Sequence, residues 1–270
     1  MSAAAISRSQ VGVDGVRLGL TRRRDWWWVQ PAVVFAGLSA FVVYSIWAVL
    51  QGRAYRFGPY LSPFYSPELF GSGHGWFGVK PSWWPAWMLW SPAILSLWAP
   101  AGLRLTCYYY RGAYYKAFWA DPPACAVGEP RAGYRGESTF PLILQNVHRY
   151  FVYLGVLYLV FLARDLWEAV WFDAAGGGRV FGIGVGTLVL LANLVLLSGY
   201  TFGCHSLRHL CGGGRDELAG CPVRARLYGC SSVFNRRHML WAWASLCVVG
   251  FSDLYVRMCA MGVWTDWRIL

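Results

Sequence analysis

The sequence predicts an all-α integral membrane protein, a bundle of five transmembrane helices with its N-terminus in the cytoplasm. Of the 270 residues, 57% are hydrophobic and only 14% are charged, whereas soluble domains carry about 25% charged residues. The chain contains 17 Trp residues, and several of them stand at the ends of apolar segments, where aromatic side chains mark the membrane interface. The basic residues, finally, divide unequally between alternate loops.

Five segments are apolar and long enough to cross about 30 Å of hydrocarbon. We expect these spans near residues 31–50, 86–108, 144–164, 180–203 and 238–262. The second span begins in a cluster of Trp and Pro residues, which is typical of an interfacial anchor. The expected organisation is therefore a cytoplasmic arm over residues 1–30 and a membrane anchor domain over 31–265, with cytoplasmic loops at 109–143 and 204–237.

The distribution of positive charge sets the expected orientation. Of the 24 Lys and Arg residues, 17 fall in the N-terminal arm and in the second and fourth connections, and 7 fall on the other side. We expect a multi-pass protein of the inner (plasma) membrane. By the positive-inside rule, its N-terminus lies in the cytoplasm and its C-terminus lies on the outer side of the membrane. The net charge of +11 is then a topology signal. Nucleic-acid binding is not expected, because it needs basic residues gathered on one accessible surface.

Most histidines fall at the predicted cytoplasmic end of the spans. His148 opens the third span and His238 opens the fifth, while His205 and His209 close the fourth; His74 alone lies in an outer loop. Residues four apart share one face of a helix, so the last pair could hold a single metal ion. Among the thiols on the same side of the membrane, Cys107, Cys125 and Cys204 are the candidate ligands. This pattern predicts a metal or cofactor site near the cytoplasmic face.

Two cofactors are compatible with these side chains. Haem b needs two axial histidines on different helices, which His148/His238 or His148/His209 could supply. A second haem would need a further histidine pair near the outer face, and His74 cannot supply one. A Rieske-type [2Fe-2S] cluster needs two imidazoles and two thiolates, and the chain has candidates for both. On these residues both cofactors stay open, and a non-redox membrane scaffold is a third interpretation.

Aromatic and cationic residues near the same interface predict a quinone site. Phenols and cations can donate hydrogen bonds to the quinone carbonyls, and aromatic rings can form the walls of a dry slot. The other interpretation is an aromatic belt with arginines whose charged ends reach the water. The candidate quinone-binding residues are Trp27, Tyr110, Arg111, Arg149 and Arg208.

Several blocks of the chain resemble the single-chain membrane anchor of actinobacterial succinate dehydrogenase. They are Arg104–Lys116, Pro122–Cys125, Tyr134–Glu137, Phe140–Tyr150, Cys204–His209 and Asn235–Met239, and the likeness extends over about residues 25–265. The resemblance implies an anchor that docks a flavoprotein and an iron–sulfur subunit on its cytoplasmic face and reduces menaquinone or ubiquinone. It also implies a haem-free branch of the family that holds a Rieske-type cluster. On the strength of this resemblance we predict the Rieske-type [2Fe-2S] cluster, with haem b as the alternative.

More than one ligand quartet is compatible with the sequence. Neighbouring residues of a helix point about 100° apart, so Cys204 and His205 do not easily face the same iron. Cys107 and Cys125 are therefore the preferred thiolate candidates, and Cys204 ranks after them. The imidazoles could come from His205 and His209, or from the neighbouring spans.

Overall fold

The computed structural model describes residues 17–71, 75–130, 140, 142–174, 176–213, 217–218 and 220–270. His74, the block at 134–137, the first 16 residues of the predicted arm and parts of both predicted cytoplasmic loops lie outside these ranges. The described chain is helical, with two short β-hairpins.

The helices, in chain order, are α1 (Val29–Gln51), α2 (Ala93–Ser96), α3 (Trp98–Leu105), α4 (Tyr108–Tyr114), α5 (His148–Glu168), α6 (Val185–Phe202), α7 (His205–Gly212), α8 (Pro222–Asn235) and α9 (His238–Ala260). The antiparallel hairpins pair β1 (Arg56–Phe57) with β2 (Tyr60–Leu61), and β3 (Trp171–Asp173) with β4 (Arg179–Phe181). Short 3-10 helices cover Pro63–Tyr65 and Leu142–Val147, and a π-helical turn covers Tyr115–Trp119.

Four helices of the described chain are long and apolar enough to cross a membrane. They are α1, α5 with the turn before it, α6 and α9, and they confirm the spans predicted near 31–50, 144–164, 180–203 and 238–262. The structure therefore supports an all-helical membrane protein.

The segment predicted as the second span is not one continuous helix, so the predicted count of five spanning helices is not confirmed. The described chain from 75 to 92 contains turns and no helix, and the helical region that follows is interrupted at Leu97 between α2 and α3. Pro100 explains the interruption, because it has no N–H to donate to the carbonyl of Ser96. A further turn at Thr106 ends α3 before α4 begins.

Two glycines allow α3 to approach α5 closely. A Cβ atom at Gly102 would lie 2.1 Å from the ring of Phe151, and one at Gly155 would lie 2.6 Å from Cδ2 of Leu103. Glycine at these positions removes the side chains that would otherwise separate the two backbones. The close packing places the end of α3 beside the start of α5.

One end of the bundle is closed by a buried polar network on α9. The hydroxyl of Ser62 donates to the carboxylate of Asp253, and the hydroxyl of Tyr44 donates to it at 2.6 Å. Arg257 lies one turn further along α9, with its Nε 3.3 Å from the same carboxylate. Since buried backbone and polar groups in a membrane need partners within the protein, this network anchors the irregular chain around β2 to the helices.

The other end of the bundle has its own core, and the predicted cytoplasmic loops around it contain helices. The buried members of this core are Leu103, Cys107, Tyr110, Val152, Tyr200, Cys204, Ala242 and Leu246. α4 lies in the predicted loop at 109–143, and α7 and α8 lie in the one at 204–237. α6 ends at Phe202, so His205 and His209 belong to the separate helix α7 and do not close the predicted fourth span.

Candidate metal centre

Two cysteines and two histidines from four helix ends meet in this second core. Cys107 and Cys204 each lie two residues beyond the end of a helix, α3 and α6, whereas His148 and His238 are the first residues of α5 and α9. The Sγ atom of Cys107 lies 3.5 Å from Nε2 of His238. The Sγ atom of Cys204 lies 3.0 Å from Nε2 of His148. We call these four residues the Cys–His quartet.

The two cysteines occupy equivalent backbone positions. Cys107 is the N-cap of α4, with φ −63° and ψ 133°, and Cys204 is the N-cap of α7, with φ −63° and ψ 134°. Burial raises the pKa of the Cys204 thiol to about 11, although the backbone N–H groups of Leu207 and Ser206 oppose the shift. The free thiol is therefore protonated at neutral pH, and a metal ion would take the place of that proton.

His148 is held on both sides of its ring. Its Nδ1 lies 2.8 Å from Oγ1 of Thr106, and its Nε2 faces Cys204. Thr106 is buried, and its hydroxyl donates to the carbonyl of Gly102 at 2.7 Å. The ring of His148 thus has a fixed orientation, with one nitrogen directed at a thiol.

His238 is held by stacking rather than by a second hydrogen bond. Its ring lies parallel to that of Tyr200, with centroids 5.1 Å apart and planes 15° apart. Within the described residues, the buried Nδ1 of His238 has no hydrogen-bond partner. Unpaired buried polar atoms are costly and are often found at functional sites.

A guanidinium group lies beside the quartet. Arg104 donates from Nη1 to the hydroxyl of Tyr110 at 2.7 Å and from Nη2 to Oγ of Ser245 at 3.0 Å. Its Cζ lies 4.8 Å from the centroid of the Tyr200 ring. Burial raises the pKa of Tyr110 to about 12, so this hydroxyl stays protonated and donates to the carbonyl of Ala242 at 2.6 Å. A fixed positive charge is therefore held against Tyr110 and Tyr200, two aromatic members of the same core.

The quartet is arranged as two Cys–His pairs. Within the part of the chain that the structure describes, no three His, Cys, Asp or Glu side chains are placed to hold one metal ion. A [2Fe-2S] cluster takes two protein ligands on each of two irons. The quartet offers four such side chains, arranged as two Cys–His contacts within one core.

Three residues predicted as ligands lie outside the quartet. His205 and His209 are exposed on α7, and the ring centroid of His205 lies 6.3 Å from that of Tyr108. Cys125 is exposed in the loop after α4, where its carbonyl accepts a hydrogen bond from Nη1 of Arg23 at 2.8 Å. Within the described residues, no hydrogen bond is found between these three side chains and the thiols and imidazoles of the quartet.

The predicted quinone residues have different surroundings. Tyr110 is buried in the core, and its hydroxyl is already engaged. Arg208 donates to Oγ of Ser232 at 2.9 Å and to the hydroxyl of Tyr228 at 2.6 Å. These hydrogen bonds hold Tyr110 and Arg208 to neighbouring residues, and a quinone would have to break them in order to bind at either side chain.

The other three predicted quinone residues are more accessible. Trp27 is half-buried just before α1, and Arg149 is exposed, with its Cζ 5.0 Å from the ring centroid of Tyr150. Arg111 is half-buried, with its Cζ 4.4 Å from the ring centroid of Tyr108. Arg149 directly follows His148 of the quartet, and Arg111 is the fourth residue after Cys107.

Sequence reasoning missed Thr106 and Tyr200. One local signal was available, since each cysteine is followed four residues later by an arginine, Arg111 or Arg208, and each begins a short helix. The contacts of Thr106 and Tyr200 with the histidines join distant parts of the chain, and no spacing in the sequence reveals them.

The fold and the site define a class: a multi-span helical membrane protein with a buried cysteine–histidine centre at one end of its helices. The sequence model of the family described as actinobacterial succinate dehydrogenase subunit SdhC matches residues 29–262. The chain therefore belongs to this family and is a membrane-anchor subunit of succinate dehydrogenase, which confirms the resemblance found in the sequence.

A solved structure is also similar. A chain of the Mycobacterium smegmatis Sdh1 complex in the apo form shares 41% sequence identity with this one and superposes with a TM-score of 0.83. The match covers 93% of this chain and 94% of that chain. Comparison with curated proteins gave no match.

Proposed function

We propose that this anchor binds a Rieske-type [2Fe-2S] cluster, which supplies one-electron transfer to a membrane quinone, and that the Cys–His quartet provides its ligands. The observation that carries the proposal is the convergence of two thiols and two imidazoles from four helix ends in one core. Two imidazoles and two thiolates are the ligand set of a Rieske-type cluster.

The chemistry of the quartet suits delivery of electrons to a quinone. Imidazole is a neutral ligand, so His148 and His238 would leave the reduction potential higher than four thiolates would. A Rieske-type cluster carries both imidazoles on one iron, whereas here each imidazole contacts one thiol. The number of nitrogen ligands on the reducible iron therefore tests the proposal directly. Two nitrogen ligands would support a Rieske-type cluster, and one would contradict it.

The surrounding residues exclude water and balance charge. Cys107 is 2% exposed and Cys204 is 4% exposed, so the bundle covers both thiols. Two thiolates add negative charge in a region of low dielectric constant, and the guanidinium of Arg104 provides a compensating positive charge. The stacked rings of Tyr200 and His238 close one side of the centre.

Haem b, with His148 and His238 as axial ligands, is the second candidate. Axial ligation needs one nitrogen of each histidine to face the iron at the centre of the macrocycle. In the structure, the Nε2 atom of each histidine faces a cysteine sulfur instead. This arrangement favours the cluster over the haem.

We place the quinone headgroup just outside the quartet, beside Tyr108, Arg111 and His205. Tyr108 follows Cys107 and His205 follows Cys204, and the two exposed rings lie 6.3 Å apart between centroids. Arg111 extends over the Tyr108 ring at 4.4 Å. A phenol, a guanidinium and an imidazole can together donate hydrogen bonds to the quinone carbonyls.

The proposal includes five crossings of the plasma membrane with the N-terminus in the cytoplasm. In this proposal the α2–α3 segment makes the second crossing. Its support is that Ala93 at the start of the segment belongs to one buried core and Cys107 just beyond its end belongs to the other. In this orientation the quartet is near the cytoplasm. There a flavoprotein subunit and an iron–sulfur subunit would dock and deliver electrons from succinate, while lipids cover the exposed apolar faces.

Iron, acid-labile sulfide and haem assays of the purified complex, with low-temperature EPR, test the proposal. The expected result is two irons and two sulfides per anchor chain beyond those of the partner subunits, with a low average g value. A haem absorbance band near ~560 nm, the usual region for a b haem, without the additional iron and sulfide would overturn it.

A further inference from the structure

Thr106 joins the end of α3 to the metal centre through a single hydroxyl group. Its Oγ1 lies 2.7 Å from the carbonyl oxygen of Gly102 and 2.8 Å from Nδ1 of His148. A threonine hydroxyl has one proton to donate, and a carbonyl oxygen can only accept. The hydroxyl hydrogen of Thr106 is therefore donated to the carbonyl oxygen of Gly102.

The protonation of the imidazole follows from this hydrogen bond. Toward His148, the Thr106 oxygen can only accept, so Nδ1 of His148 must carry the hydrogen. A neutral imidazole has one N–H group, which leaves the lone pair of His148 on Nε2. That atom is the one that faces the sulfur of Cys204 at 3.0 Å.

His238 differs from His148 in this respect. Its Nε2 faces Cys107 at 3.5 Å, but its buried Nδ1 has no hydrogen-bond partner within the described residues. The two imidazoles of the quartet therefore differ at Nδ1, because within the described residues only His148 has a hydrogen-bond acceptor at that atom.

We infer that Thr106 is a positioning residue, which fixes His148 as the Nδ1–H form so that its Nε2 binds iron. The inference rests on the proposed function, since it concerns a ligand of the proposed cluster. A hydrogen bond accepted from the remote nitrogen raises the basicity of a metal-binding imidazole. A more basic ligand stabilises the oxidised cluster, so Thr106 lowers the reduction potential.

Two substitutions of Thr106 separate the hydroxyl from the shape of the side chain. Thr106→Val removes the acceptor with little change in volume, and Thr106→Ser keeps it. Thr187→Val is the matched control, because Thr187 is also buried and donates to a backbone carbonyl, that of Ala169 at 2.9 Å. It lies at the opposite end of α6 from Cys204.

The readouts are the EPR spectrum and the reduction potential of the intact complex. Thr106→Val should shift the g values and favour the reduced cluster by ~10-fold, a rise of ~59 mV for one electron. Thr106→Ser and Thr187→Val should match the unmodified complex. With histidine labelled with 15N at Nε2 alone, strong hyperfine coupling should come from the label, and strong coupling from unlabelled Nδ1 instead would overturn the assignment.

The outcomes distinguish the two levels of the proposal. If the unmodified complex shows no cluster signal from the anchor, the proposed function fails and the inference falls with it. If that signal is present and Thr106→Val leaves its g values and potential unchanged, the inference alone is overturned. If Thr106→Val assembles without the cluster, Thr106→Ser decides: a normal cluster supports the role of the hydroxyl, and a lost one refutes it.

Discussion

The Nε2 atom of His148 lies 3.0 Å from the Sγ atom of Cys204, although the two residues are 56 positions apart in the sequence. The contact exists because α5 and α6 run in opposite directions, so the start of α5 lies beside the end of α6. The same relation joins His238 at the start of α9 to Cys107 just after α3. The directions of the helices thus bring the cysteines and histidines together. Each of the four residues can be replaced and tested separately.

Cys204→Ser should remove the cluster of the anchor. A serine oxygen is a poor replacement for a thiolate in an iron–sulfur site, and changes around metal ligands already cost about 10–100-fold in affinity or activity. We expect the anchor EPR signal to vanish and quinone reduction by succinate to fall by at least ~100-fold. Succinate oxidation with a soluble acceptor, which does not need the anchor, should be retained.

The control for this variant is Cys230→Ser. Cys230 is exposed on α8, away from the quartet, and its replacement should leave both assays unchanged. A normal cluster signal in Cys204→Ser would contradict the ligand assignment.

His205→Ala should slow quinone reduction without removing the cluster. His205 is exposed, and its ring lies beside that of Tyr108. Loss of a proton donor typically costs about 10²–10⁴-fold in rate, so we expect at least ~100-fold in kcat with an unchanged EPR spectrum. Steady-state assays with a soluble quinone analogue and EPR of the same sample measure the two effects.

His209→Ala provides the comparison, because His209 is exposed one turn further along the same helix. It should retain normal quinone reduction. If His205→Ala instead lost the cluster signal, His205 would be a ligand and the quartet would have to be revised.

Gly203→Ala should disturb the centre through the backbone. A Cβ atom at Gly203 would lie 2.8 Å from the carbonyl oxygen of Gly199 and 3.1 Å from the backbone of Phe234. Backbone cannot move aside as a side-chain end can, so the turn that carries Cys204 must shift. We expect a lower cluster content per chain, measured as iron and EPR spin per mole of complex.

Gly229→Ala tests the same chemical change where space is open. Gly229 lies inside α8, and a Cβ atom there would meet nothing within 4 Å. This variant should keep its full cluster content and stabilise α8 by about 0.5–1 kcal/mol. An equal loss of cluster in both glycine variants would show that steric crowding at Gly203 is not the cause.

The long helices could be predicted from the sequence because hydropathy and length act locally. Four apolar segments gave α1, α5, α6 and α9, whereas the interruption at Leu97 depends on one missing hydrogen-bond donor, that of Pro100, inside an otherwise apolar run. The same contrast holds at the site. The spacing of His205 and His209 is visible in the sequence because both are on one helix, but contacts between different helices are set by packing. The Thr106–His148 hydrogen bond is of that kind.

Asp253→Ala should destabilise the anchor and leave the spectrum of the cluster unchanged. Asp253 and Arg257 are 0% and 1% exposed, and removing one partner of a buried ion pair leaves an unpaired charge at a cost of about 3–5 kcal/mol. Thermal unfolding of the purified complex in detergent should show a clear loss of stability. The double variant Asp253→Leu/Arg257→Met should recover much of it, because it removes both charges together.

The position of the Asp253–Arg257 pair explains why its effect should be confined to stability. Asp253 binds Ser62 and Tyr44 in the core opposite to the quartet, so the g values of the cluster should not move. Asp25→Ala removes the partner of Arg23 in an exposed pair, where water already solvates both groups, and should not change the unfolding temperature measurably. Equal destabilisation by Asp253→Ala and Asp25→Ala would show that burial of the ion pair is not what makes it important.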